Sequence, residues 1–200
     1  MSGSKRASKK LTWRKVAVYL SALAVVASAD PRPLSFVIGC VLVALALMLR
    51  IWAFGHLEKN VVMVTSGPYA YTRNPAYLGS FLALLGTALA AGNAESKRGL
   101  LVWGLALVLA VVFFTFYLPR KMQREYPRLQ KLFGAQLERH AKNVPDFWPR
   151  LKPWSSGDSR RFSWHRVFDN HEIEWTPVFA GLLAAIWFVE RWSPVAGWIS

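Results

Sequence analysis

The sequence predicts an all-α protein: a polytopic membrane helical bundle of about five transmembrane helices with one cytoplasmic amphipathic helix. Three observations predict it. Residues Gly99 to Leu118 form a charge-free run of twenty residues, the length a helix needs to cross a hydrocarbon core of about 30 Å. Other apolar runs alternate with short basic clusters, and apolar residues make up 54% of the chain, above the soluble norm of about 45–50%. Finally, the basic residues fall almost entirely on one side of the implied map, as the positive-inside rule requires.

The elements follow in order. Residues 1–15 form a basic tail, of which 1–10 are Ser/Gly/Lys-rich and read as disordered. The first span starts at Leu11 or Val16 and ends at Ala29; with no clean small-residue cleavage signal, it reads as a retained helix rather than a signal peptide. Asp30-Pro31-Arg32-Pro33 is a tight turn, because two prolines cannot continue a helix. Span two runs from Leu34 to Leu49, or on to Phe54, with Arg50 snorkelling to the head groups. A polar connection, 55–76, leads to span three, Tyr77 to Gly92; a short loop, Asn93 to Arg98, precedes span four. Residues 120–142 form the amphipathic helix, with Met122, Leu129, Leu132, Phe133 and Leu137 on its apolar side and Pro127 kinking or dividing it. A Trp/Pro/Ser-rich linker, Val144 to Asp158, precedes span five, Pro177 to Val189, which crosses or lies at the interface; crossing is favoured. The domain division is then 1–15 tail, 16–150 membrane domain and 151–200 C-terminal extension.

Charge orients this map. There are 25 Lys/Arg against 11 Asp/Glu, a net charge of +14. With a cytoplasmic N-terminus, the inner segments 1–15, 50–76 and 119–176 carry 6, 3 and 12 Lys/Arg, which is 21 of the 25. A bacterial inner membrane is the expected location. The partners are the lipid bilayer and an apolar small-molecule or lipid substrate; oligomeric state stays open. No nucleic-acid-binding module pattern is present. The single cysteine, Cys40, forms no disulfide within the chain and no Cys-x-x-Cys pair, and reads as a small buried or lipid-facing residue. His165, His171 and Glu172 read as solvated or structural, and no metal site is expected.

The connection holds the densest pattern: Gly67-Pro68-Tyr69-Ala70-Tyr71-Thr72-Arg73-Asn74-Pro75-Ala76-Tyr77-Leu78-Gly79. By composition alone it is a rigid loop with interfacial aromatics. In order, it resembles the signature Gly-Pro-Tyr-x-x-x-Arg-His/Asn-Pro-x-Tyr-x-Gly of the isoprenylcysteine carboxyl / phospholipid methyltransferase family, and Gly55-His56-Leu57 matches the residues that often precede it. Downstream, Glu125-Tyr126, Leu129, Phe133-Gly134, Leu137, His140 and Val144-Pro145 resemble that family's second block at the expected spacing. The 168–172 stretch resembles an extension of some bacterial members. The chain departs from the family at four points: Asn74 for the commoner His, Tyr126 for a second glutamate, Leu137 and His140 for paired tyrosines, and Asn143 for a basic residue.

The resemblance implies a membrane enzyme using S-adenosylmethionine to methylate an apolar, membrane-derived carboxylate or amine. In that reading Arg73 binds the cofactor carboxylate and Glu125 its ammonium. Tyr69 or Tyr77 sets a ring near the sulfonium. Gly67 and Gly79 allow close backbone approach, His56 holds a ribose or carboxylate group, and Asn74 and Pro75 complete the motif. Arg120 and Arg124 are candidates to orient a carboxylate acceptor and His140 to take a proton from an amine; with Arg73 they make up the candidate catalytic set. Two other classes compete. A sterol-reductase-like enzyme using NADPH shares the Arg-x-Pro-x-Tyr pattern, but Ser80 stands after Gly79 where such enzymes often carry an acid. A non-catalytic membrane relative is favoured only by the missing second glutamate.

Overall fold

The computed structural model describes the backbone of residues 13–155 and 157–192, and the side chains of 20–155 and 157–189; the reading of 1–10 lies outside them. Every regular element among the described residues is helical: α1 (Trp13–Ala27), α2 (Pro33–His56), α3 (Pro75–Ala91), α4 (Lys97–Val112), α5 (Leu118–Phe133), α6 (Ala135–Asn143), α7 (Trp164–Asp169) and α8 (Trp175–Trp192). Short 3-10 turns precede α3 and α8, and a π-helical segment, Phe113–Tyr117, joins α4 to α5.

The centre of the bundle is the α2–α3 pair, the most extensive helix contact. Small residues bring the two backbones together. A Cβ on Gly39 would lie 2.5 Å from the Ala90 nitrogen and the Gly86 oxygen, and one on Gly86 would lie 2.9 Å from the Gly39 oxygen. Small-residue seams of this kind let helices approach where lipid removes the hydrophobic drive to associate. At one end, Val25, Ala29, Ala91, Val102 and Ile186 form a core joining α1, α3, α4 and α8. There the Asp30 amide donates to the Ala91 carbonyl at 2.8 Å, and buried Arg98 donates to the Ala29 carbonyl at 2.7 Å. At the other end Leu78, Phe81, Leu118 and Phe147 pack together. Leu34, Val37, Val41 and Leu45 on α2, and Leu100, Leu107, Val108 and Val111 on α4, point outward, as lipid-facing rows do.

Among the described residues, three stretches have the length and composition to cross a membrane: Pro33–His56, Lys97–Phe133 and Glu172–Val189. The third contains the fifth expected span. The 17 residues of α3 and 15 of α1 are shorter.

The structure corrects three readings. The helix that holds span four does not stop at Leu118: α4, the π segment and α5 form one 37-residue helix. Pro119 has no N–H, and its ring would crowd the carbonyl four residues back; that carbonyl belongs to Thr115, inside the π segment that makes room for it. Pro127 does not divide the amphipathic region, since α5 runs through it. The break falls at Gly134, with φ +45°, a backbone state that glycine reaches without a Cβ penalty. Arg50 does not snorkel. It is half-buried in an ion pair with Glu172, Nε to Oε1 at 2.5 Å and Nη2 to Oε2 at 3.0 Å, and Nη1 donates to Ser80 Oγ and the Ala76 carbonyl. Glu172 is accordingly buried and structural, whereas His165 and His171 are exposed beside Asp169 and Glu174, each at 2.7 Å.

Candidate functional site: a cleft between the connection and the long helix

The chain from Val144 to Ser163 is the scaffold of the site, not a loose linker. It runs along the Gly67–Gly79 connection and stitches to it: Arg73 N–H to the Pro145 carbonyl (2.9 Å), Arg150 N–H to Tyr71 (3.0 Å) and Trp154 N–H to Ala70 (2.9 Å). The Thr72 hydroxyl, buried, donates to the Phe147 carbonyl at 2.9 Å, and Asn74 Nδ2 donates to the Asp146 carbonyl at 2.9 Å. These bonds tie the connection to the segment that follows α6.

Between the connection and helices α5 and α6 lies a cleft of about 720 Å³, counting its open mouth. The connection contributes Tyr69, Arg73 and Asn74; α5 contributes Glu125 and Tyr126; α6 contributes Leu137 and His140. A strap, residues 57–64, closes one side, and Met122, Leu129 and Phe133 form an apolar wall.

Charges of both signs meet here. Arg73 pairs with the Asp146 carboxylate, while its Nε is buried without a partner. Glu125 accepts the Tyr77 hydroxyl at 3.3 Å and pairs with Lys121 at 2.6 Å. Burial pushes the Tyr69 phenol well above its usual range, and the Glu125 and Glu172 charges push it further, so it stays protonated. The His140 ring is buried against Trp154 and bonded through Nε2 to the Tyr69 carbonyl at 2.8 Å. A carbonyl only accepts, so Nε2 carries the proton and Nδ1 presents a lone pair; Nδ1 has no partner. Burial lowers the His140 pKa from 6.5, and the neighbouring Arg73 charge adds to that, outweighing the Tyr69 bond.

The strap is latched from the C-terminal side. Asp158 accepts the Thr65 and Arg160 amides, both at 3.0 Å, and Arg160 pairs with Glu58 at 2.8 Å. Burial alone would raise the Asp158 pKa; those bonds outweigh it and hold the carboxyl below its usual 3.8.

Of the residues expected from sequence, Tyr69, Arg73, Asn74, Glu125 and His140 line the cleft, and Tyr77 reaches it through Glu125. The others stand apart. His56 is buried outside the cleft, with Nδ1 on the Trp52 carbonyl at 3.0 Å. Gly67, at φ +58°, has the His56 ring where its Cβ would be; Gly79 has the Arg50 stem there. Both glycines therefore make room for the protein's own side chains. Pro75 is buried at the first turn of α3. Arg120 and Arg124 are exposed and do not line the cleft. Sequence reasoning missed the strap, Tyr126 as a lining residue, and Asp146; only its place after Val144-Pro145 hinted at the last.

The model of the phospholipid methyltransferase family matches residues 34–136, just over half of the chain. The chain belongs to this family. Among curated relatives, the protein-S-isoprenylcysteine O-methyltransferase of Schizosaccharomyces pombe is 31% identical over 104 residues, 50% of this chain and 40% of its own. The cobalt-zinc-cadmium resistance protein CzcN of Cupriavidus metallidurans is 33% identical over 123 residues, 60% of this chain and 51% of its own. The nickel-cobalt-cadmium resistance protein NccN of Alcaligenes xylosoxydans xylosoxydans is 29% identical over 121 residues, 60% of this chain and 52% of its own. The chain thus spans about half the length or less of these relatives. No solved structure matches it. The family match includes Arg73 and Glu125 but ends before His140, Asp146 and the latch at Asp158.

Proposed function

We propose that this phospholipid methyltransferase family member transfers a methyl group from S-adenosylmethionine to an apolar, membrane-derived carboxylate or amine. The observation that carries the reading is the shared cleft of Arg73 and Glu125, residues 52 positions apart in sequence and opposite in charge. The cofactor is a zwitterion with an apolar nucleoside, and the cleft offers partners for each part. It holds a guanidinium with an orphaned Nε, a carboxylate, aromatic rings and a wall of Met122, Leu129 and Phe133.

When bound, S-adenosylmethionine supplies an electrophilic methyl on a sulfonium that is already a good leaving group. The chain's own task is therefore to align the reactants and exclude water. Arg73 grips the carboxylate by a charge-assisted bond, and Asp146 steadies the guanidinium. Glu125 takes the ammonium, with Tyr77 holding the carboxylate in place. The Tyr69 and Tyr77 rings stabilise positive charge by cation–π attraction, worth about 0.5–2 kcal/mol. The 57–64 strap screens the cleft from solvent. His140, neutral with a free Nδ1, is suited to accept a proton from an amine acceptor. The S. pombe relative, named for O-methylation of an isoprenylcysteine, supports a carboxylate acceptor on an apolar carrier. Arg120 and Arg124 do not line the cleft, so this reading gives them no role in the transfer.

Calorimetry on the purified protein tests the reading. Arg73→Ala and Glu125→Ala each abolish S-adenosylmethionine binding, a loss of at least about 2 kcal/mol for a charged hydrogen bond. Unchanged affinity in both variants rejects it. Transfer of labelled methyl into a membrane lipid extract then tests the acceptor class.

A further inference from the structure

The long helix has two functional faces. At about 100° per residue, Arg120, Arg124, Arg128 and Lys131 fall within an arc of about 80°. Met122, Glu125, Tyr126, Leu129 and Phe133, which line the cleft, centre roughly 150° away. All four bases are exposed, and none has an acidic partner among the described residues. A row of unpaired cations on one face is not a device for folding, since like charges repel.

Depth says what the row meets. α4 and the π segment, 16 and 5 residues, rise about 31 Å, the thickness of the hydrocarbon core. Phe116 and Tyr117 then stand at its edge, with the Arg120 guanidinium 5.6 Å from the Phe116 ring centre. Measured along the axis from Tyr117, Arg120 and Arg124 lie about 5 and 10 Å beyond, Arg128 about 16 Å and Lys131 about 21 Å. The head-group layer is about 5–8 Å deep and surface charge is felt for about 8 Å more. Arg120 is therefore at phosphate depth, Arg124 just past the head groups but well within reach of their charge, Arg128 at the limit of that reach and Lys131 outside it.

We propose that Arg120, Arg124 and, more weakly, Arg128 form a binding stripe for the head groups of anionic phospholipids, on the helix face opposite the cleft. The stripe is independent of the chemistry proposed for the cleft. It ties the helix that carries Glu125 to the charge of the surrounding membrane.

The full chain, reconstituted in vesicles of equal parts phosphatidylglycerol and phosphatidylcholine, is extracted and its retained lipids counted by native mass spectrometry. The wild type retains phosphatidylglycerol preferentially, and raised salt during extraction weakens the preference. Arg120→Gln and Arg124→Gln each lower the ratio by about fivefold, whereas Lys131→Gln lowers it by roughly twofold at most. Arg124→Lys keeps it, which separates charge from folding. Three results overturn the stripe: no preference in the wild type, no change in Arg120→Gln and Arg124→Gln, or an equal loss in Lys131→Gln. The last would mark a response to net charge alone.

Discussion

Arg50 and Glu172 show how a buried charge is made tolerable. The carboxylate takes two of the guanidinium's donors, and Ser80 and the Ala76 carbonyl take a third nitrogen. Removing one partner strands the other in a low-dielectric interior, at a cost of about 3–5 kcal/mol. Glu172→Ala should lower the thermal unfolding midpoint in detergent sharply, and the double variant Arg50→Met/Glu172→Met should recover much of the loss. His140 supplies a pH dependence. Its pKa lies below the ordinary 6.5 because of burial, so below that pH the unfolded chain binds the proton more readily than the folded one. Stability therefore falls as pH drops through about 6.5 and is retained above it. Melting curves between about pH 7.5 and 5.5 should show a steeper loss for the wild type than for His140→Gln; equal slopes would assign the acid sensitivity to another group.

The α2–α3 pair depends on missing side chains. The atoms that a Gly39 Cβ would strike include the backbone of Gly86 and Ala90, which cannot rotate aside as a side-chain tip can. Gly39→Ala should cost about 1–3 kcal/mol by overpacking. Gly104 on α4 has nothing within 4 Å of that position, so Gly104→Ala should cost nothing and gain up to about 1 kcal/mol in helix propensity. Unfolding midpoints of the two variants should thus move in opposite directions. The α4–α5 helix makes a different point: apolar length marked where it crosses, but Pro127, exposed within α5, does not divide it, and Pro119 is accommodated beside a π segment.

At the scale of the whole molecule, the site sits at the end where the connection, α5, α6 and the 144–163 segment gather, and from the charge asymmetry of the sequence we propose that this end faces the cytoplasm. This orientation is testable with the single native cysteine removed as Cys40→Ser. Glu95→Cys in that background should react with a membrane-impermeant thiol reagent in intact cells. Gln136→Cys should react only after permeabilisation. The reverse pattern would invert the topology and put the cleft on the side without soluble cofactor.

Apolar length, proline turns and clustered bases determined from sequence alone that this is a helical membrane protein, because the bilayer imposes a length and a polarity that leave a direct mark on the chain. The motif order likewise marked Tyr69, Arg73, Asn74, Glu125 and His140. Tertiary structure alone decided that these five share a cleft, and that the 57–64 strap and Asp146 complete it. It also decided that Arg50 and Glu172, 122 positions apart, neutralise each other. Those facts depend on which backbone groups pair across long separations, such as Arg73 with Pro145 and Trp154 with Ala70. An unpaired N–H looks the same in sequence whatever carbonyl it will find, so no local pattern reveals it.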